Sequence, residues 1–172
     1  MRITAVEEYG LRCLLNLARA GRGKQMSISE IAESEGLSVP YASKLLSILR
    51  KAGLVQAVRG RSGGFRIARD PGEIDLYEVL FALGGPLIDP DHCQKHSGQL
   101  DQCVHTEECS VQGVLGGLAG YVQSFLAGTS LQEIVDGRPC TMARQSTAAF
   151  EISDTAHSDE LRSGVVDDPA GN

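Results

Sequence analysis

Residues 59–64 run Arg59-Gly60-Arg61-Ser62-Gly63-Gly64, between two short segments, 54–58 and 65–68, in which apolar and polar side chains alternate. Period-two alternation on both sides of a glycine-rich turn specifies a β-hairpin. The same glycines could be mistaken for a phosphate cradle, but such a cradle joins a strand to a helix. Here two strands are joined, so the turn is assigned to the tip of a hairpin.

What precedes the hairpin is helical. Thr4 and Glu7 have capping-box spacing, and Val6, Leu11, Leu14, Leu15, Leu17 and Ala18 continue at helical intervals, which predicts a first helix over residues 5–20. Ser27 and Glu30 repeat the cap and open a short helix through Ile28, Ile31 and Ala32, closed by a tight turn at Glu35 and Gly36. Leu37 follows as a core residue. Ser38 is then an N-cap, Pro40 is tolerated in a first turn, and Leu45, Leu46, Ile48 and Leu49 point inward until Gly53 ends the helix. Two helices around a short glycine-containing turn fit any helical hairpin. Followed at once by a β-hairpin, they specify a winged helix-turn-helix.

Beyond Pro71, Asp75 and Glu78 start another helix through Leu76, Val79, Leu80 and Leu83, stopped by Gly84, Gly85 and Pro86. A loop with three cysteines follows. Val111, Val114, Leu115, Leu118, Val122, Phe125 and Leu126 then form the apolar stripe of a long helix. Gly113, Gly116, Gly117 and Gly120 fall inside it, each costing about 1 kcal/mol relative to alanine. Close approach of a twofold mate offsets such a cost and makes this helix a dimer seam; a bent or frayed helix is the plainer reading. Ser130 and Glu133 cap a last short helix ending at Gly137, and the remainder reads as an acidic, disordered tail. The expected fold is therefore mainly α with a small β-hairpin wing. Residues 1–72 form the winged helix-turn-helix domain, 73–137 the cysteine loop and dimerisation helices, and 138–172 the tail.

Charge sharpens this division. The chain carries a net −6, but residues 1–72 hold 12 Lys and Arg against 6 Asp and Glu, and residues 73–172 hold 4 against 16. A basic front joined to an acidic rear suits a module that faces nucleic acid. No apolar run reaches membrane-spanning length and no signal peptide opens the chain, so a cytoplasmic protein with no membrane partner is expected. In that compartment five cysteines imply reduced thiols, and Cys13, within the apolar stretch of the first helix, reads as a small buried hydrophobe.

A recognition helix contacts bases through its N-terminal residues, which makes Ser38, Val39, Pro40, Tyr41, Ser43 and Lys44 the candidates; Tyr41 has a core role as its alternative. The wing tip offers Arg59, Arg61, Ser62 and Gly63, with Arg66 and Arg69 on the returning strand, where long cations reach phosphates or a minor groove. One copy makes few phosphate contacts, so a homodimer on a pseudo-palindromic double-stranded operator is expected.

Cys93, Cys103 and Cys109 are spaced C-x9-C-x5-C, without the C-x2-C pairs of structural zinc ribbons. Soft thiolates select zinc or iron-sulfur clusters, and loops of this width leave room for a cluster, two-iron or four-iron. Three thiols leave a cluster one ligand short. His92, His96 and His105 share the loop and keep zinc as the alternative, although exposed histidines are usually plain surface. There is no nucleotide-binding glycine loop, no C-x-x-C redox pair and no catalytic triad, which leaves a cluster carrier or oxidoreductase as a remote reading and an enzyme unsupported.

With these elements placed, residues 1–137 resemble the bacterial winged-helix regulators that include IscR, NsrR and RirA. The resemblance rests on Met1-Arg2-Ile3-Thr4, Tyr9-Gly10-Leu11-Arg12, Lys51-Ala52-Gly53-Leu54-Val55 and the run from Arg59 to Phe65, with three cysteines ahead of a long helix. It implies a homodimeric regulator, a repressor or activator, whose operator affinity follows a cluster that senses nitric oxide, iron supply or oxidants. It also implies that Cys93, Cys103 and Cys109 ligate the cluster. In the nitric-oxide-sensing branch an acidic residue from the other subunit, just before the tyrosine, adds a ligand, and Glu8 holds that place here. An exposed acid favoured by the helix dipole is the alternative for Glu8. The chain departs from the family pattern at Gln112, where the cluster-biogenesis branch has histidine, and in the longer gap between Cys93 and Cys103.

Overall fold

The computed structural model describes residues 3–60, 63–86, 97, 99–101, 103, 105 and 109–138. Helix α1 spans Ala5–Ala20, α2 Ile28–Glu35 and α3 Val39–Lys51; strands β1 and β2 span Val55–Val58 and Gly64–Ile67. A 3₁₀ turn at Pro71–Glu73 leads to α4, Leu76–Gly84, and after the loop come α5, Ser110–Ala127, and α6, Leu131–Val135. The architecture is mainly helical with one small wing, as expected.

Capping fixes the helix starts. Thr4 and Glu7, Ser27 and Glu30, and Ser130 and Glu133 each form a reciprocal capping box, satisfying amides that have no intrahelical partner. Asp75 accepts the Glu78 amide at 2.8 Å and starts α4. The turn between α2 and α3 needs a left-handed residue, and Gly36 supplies it at φ 66°.

Packing follows from the apolar faces. Leu14 and Leu17 of α1, Ile31 of α2, Leu45, Leu46 and Leu49 of α3 and Leu54 ahead of β1 are fully buried in one cluster. Ile74, Val79 and Leu131 close it from the α4 and α6 side. Burying each such side chain contributes roughly 1.5–3 kcal/mol. Helices α1 and α4 approach so closely that a Cβ at Gly10 would lie 2.7 Å from a Leu83 methyl.

The wing is antiparallel, with Val55 opposite Ile67 and Val58 opposite Gly64. It has a third partner that no local pattern announces. Met26, ahead of α2, exchanges two backbone hydrogen bonds with Phe65, at 2.9 and 2.8 Å. Gly64 makes this possible, because a Cβ there would sit 2.7 Å from the Met26 carbonyl carbon. A second isolated bridge joins Asp75 to Ser130 and ties the start of α4 to that of α6.

Helix α5 differs from the others in burying no residue. Its C-terminal end is half-covered at Val122, Phe125 and Leu126, where it runs against α4. Val111, Val114, Leu118 and Tyr121 are 55–73% exposed. Gly113, Gly116, Gly117 and Gly120 have nothing within 4 Å of where a Cβ would be. Among the described residues no helix is long and apolar enough to cross a membrane.

Candidate nucleic-acid interface and thiol site

The Ser38 hydroxyl accepts the Tyr41 amide at 3.4 Å and starts α3, with Pro40 in a first turn where its missing N–H has no intrahelical partner. Ala42, Leu45, Leu46 and Leu49 take the buried face of α3. Ser38, Val39, Pro40, Ser43 and Lys44 are thereby left exposed. These are hydroxyls, an ammonium and small apolar groups, the side-chain types that meet base edges, thymine methyls and phosphates.

Tyr41 turns inward. Its half-buried ring packs edge to face on Tyr9, with centroids 6.2 Å apart and planes at 80°. The Arg12 guanidinium lies 5.4 Å from the centroid of the same Tyr9 ring. Arg12 Nε donates to Glu35 at 2.8 Å, and the carboxylate raises the guanidinium's pKa further. Glu8 is exposed, one helical turn before Arg12 and 3.9 Å from its Nη1. Asn16 donates to Ser34 and Glu35, completing a polar seam between α1 and α2. Sequence reasoning missed this seam because its partners lie 18–23 residues apart, and charge pairing across a turn leaves no period to detect.

At the wing, Arg59 is exposed, and the Gly63 amide donates to the Gly60 carbonyl at 2.9 Å to close the turn. Arg61 and Ser62 lie outside the described residues. The returning strand behaves differently from expectation. Arg66 donates to Gln56 at 3.1 Å across the hairpin, and Arg69 is held by Glu78 of α4, so both have partners within the fold.

Of the three loop cysteines, Cys93 lies outside the described residues, as do His92 and His96. Cys103 and Cys109 are free thiols and half-buried, and His105 is exposed. Cys109 has a position the sequence did not disclose. It is the N-cap of α5, its Sγ accepting the Gln112 amide at 3.3 Å. Gln112 therefore meets the cysteine through its backbone. Among the described residues of one chain, no three His, Cys, Asp or Glu side chains converge as a metal site.

A capped recognition helix with exposed polar side chains, a wing with an exposed arginine and a basic N-terminal half give the chain the form of a winged helix-turn-helix transcriptional regulator. Comparison with known proteins agrees. Residues 3–137 match Rrf2, described as an iron-dependent transcriptional regulator, and the chain belongs to that family. It is 32% identical over 138 residues to the HTH-type transcriptional regulator IscR of Photorhabdus laumondii, covering 80% of this chain and 81% of that protein. Among solved structures it is similar to CymR, the global cysteine regulator of B. subtilis, with TM-score 0.65 and 26% identity over 80% of this chain and 98% of the other. It is also similar to IscR of T. potens, with TM-score 0.63 and 26% identity over 81% and 89%.

Proposed function

We propose that the chain acts as a homodimeric repressor whose affinity for a pseudo-palindromic operator is set by an iron-sulfur cluster, two-iron or four-iron. Residues 1–72 contact DNA in this reading, and 73–137 carry the thiol loop and the dimer surface. The residues that would hold the cluster are Cys93, Cys103 and Cys109, with Glu8 of the partner subunit as a further ligand. When bound, the cluster supplies one-electron chemistry and reactivity toward nitric oxide, oxidants and iron supply.

The observation that carries the reading is the double position of Cys109. The thiol that ends the cysteine loop also caps the helix on which Val111, Val114, Leu118 and Tyr121 are exposed. A change at this sulfur acts on the first turn of the helix that would hold two copies together. The donor set fits: Cys103 and Cys109 are free, partly accessible and outside any disulfide, and soft thiolates suit iron-sulfur chemistry. The iron-dependent description of the family and the IscR relatives point the same way.

In the dimer, Val111, Val114, Leu118 and Tyr121 would be covered by their twofold copies, with the α5 glycines permitting close approach. Bases would be met by Ser38, Val39, Pro40, Ser43 and Lys44 and by the backbone end of Tyr41. Arg59, Arg61, Ser62 and Gly63 would meet the adjacent minor groove. Occupancy of the operator excludes other proteins from it, which is the basis for repression.

A second reading, in which the thiols bind zinc or switch by oxidation, has its own support. The likeness to CymR carries it, since the CymR of Staphylococcus aureus has an oxidized form. Metal analysis separates the two. Protein purified without oxygen should contain iron and sulfide in near-equal amounts, both lost in Cys103→Ala; zinc, or three titratable thiols without metal, would replace the first reading by the second.

A further inference from the structure

The described cations of the N-terminal half fall into two groups. Arg12, Arg22 and Arg69 are each paired with a carboxylate, of Glu35, Asp70 and Glu78, and Arg66 is bonded to Gln56. Arg19, Lys24, Lys44, Arg50, Lys51 and Arg59 are exposed and have no carboxylate partner among the described residues. The last four of these lie on α3 or the wing.

Arg50 stands out by position. It follows Ser43 by seven residues and Ser47 by three, so the three share one face of α3, with Arg50 roughly 10 Å further along the axis than Ser43. That end of α3 opens onto a cleft shared with the wing. Arg50 stands on one wall and Arg59 on another, with Gly53, Ala57 and Ala68 as small lining residues. Gln56 also lines it; its Oε1 accepts from Arg66, which leaves its amide NH₂ as a neutral donor.

Duplex geometry dictates what must cross this place. A major groove and the minor groove beside it are separated by one phosphodiester strand. If α3 occupies the first and the wing reaches the second, that strand has to pass between them. We infer that the cleft between the end of α3 and the wing seats this separating strand, with Arg50 as a phosphate-binding residue facing Arg59 across the backbone. Small residues along the cleft leave room for the sugar-phosphate chain, and two guanidiniums without carboxylate partners supply the charge complement. They also offset the negative end of the α3 dipole, which would otherwise repel a phosphate. The inference rests on the DNA-binding reading and adds a phosphate site beyond the recognition residues and the wing tip.

The test uses the full chain and short duplexes selected by the wild-type protein from a random-sequence pool. Affinity is followed by fluorescence anisotropy over a range of salt concentrations for wild type, Arg50→Gln, Arg50→Lys and Arg59→Gln. Arg50→Gln should weaken selected and scrambled duplexes by the same factor. It should also flatten the plot of log affinity against log salt by about 0.9 for each phosphate no longer neutralised, with Arg50→Lys recovering most of the slope. A single neutral methylphosphonate at the groove boundary should weaken wild type more than it weakens Arg50→Gln. An unchanged salt slope in Arg50→Gln, with its melting temperature also unchanged, overturns the inference while Arg59→Gln still weakens binding. A weakening confined to the selected duplex overturns it too, because phosphate contacts carry no sequence information. If wild type selects no duplex, the DNA-binding reading itself fails and the inference with it.

Discussion

The rings of Tyr9 and Tyr41 meet edge to face, 6.2 Å between centroids, and so join the helix that carries Glu8 to the first turn of the recognition helix. The pair is a direct physical connection between two of the regions of this chain where sequence reasoning placed function, the turn at Glu8 and the recognition helix.

Truncating either tyrosine should therefore cost both stability and binding. A double-mutant cycle with Tyr9→Leu and Tyr41→Leu, read by urea denaturation, should give a coupling of about 0.5–1.5 kcal/mol beyond the two single losses. Additive losses would show that the rings do no more than fill space.

The exposed face of α5 gives a prediction in which fold and assembly separate. Leu118 is 55% exposed, so Leu118→Lys should leave the folded chain intact, within about 0.5 kcal/mol. By analytical ultracentrifugation it should shift dimer to monomer. Gly117→Ala sharpens the test, since nothing lies within 4 Å of its added methyl in one chain. In an uncovered helix the change stabilises by roughly 1 kcal/mol; with a second copy packed there it weakens association instead.

Cys109 has two roles that substitution can divide. Cys109→Ser keeps a capping oxygen for the Gln112 amide, whereas Cys109→Ala removes the acceptor and should lower α5 stability by about 1 kcal/mol. Both should lose iron. Circular dichroism and iron analysis on the same samples will show whether helix content and metal content move independently.

Cys13 is fully buried, and burial, with a smaller contribution from Glu35, pushes its thiol up to about 11 from an ordinary value of 9.0. The folded state thus holds the proton more tightly than the unfolded state. Its contribution to stability is complete below about pH 9 and is lost as pH rises through about 11. The stability difference between wild type and Cys13→Ala should shrink over that interval. In metal-free protein at neutral pH a thiol-alkylating reagent should modify Cys103 and Cys109 and spare Cys13 until the chain unfolds.

The helices and the wing were legible because their signals are local. Thr4 with Glu7, Ser27 with Glu30 and Ser130 with Glu133 announce their helices within four residues, and alternation around residues 59–64 announces the hairpin. The bridge from Met26 to Phe65, the pairing of Arg12 with Glu35 and the placement of Arg69 against Glu78 join distant positions, and none has a period to betray it. The recognition residues were half-legible. Exposure of Ser43 and Lys44 follows from the apolar stripe beside them, but the inward turn of Tyr41 depends on Tyr9, thirty-two positions earlier. Of the thiol site, the sequence displayed the ligand types and their spacing. That the last cysteine caps a helix was hidden, because cysteine is a rare substitute for serine in that role.

A hairpin of two four-residue strands is too small to hold its own shape in water. The clasp between Met26 and Phe65 alters what the wing is mechanically. The end of the paired strands next to the turn is fastened at Phe65 to the linker that enters α2, so the strands move with the helix pair as one body, which ends at Val58, the last residue of β1. Arg59 stands at that boundary. Its reach is that of a short tether on a fixed post, and the distance between recognition helix and wing is thereby set before any DNA arrives.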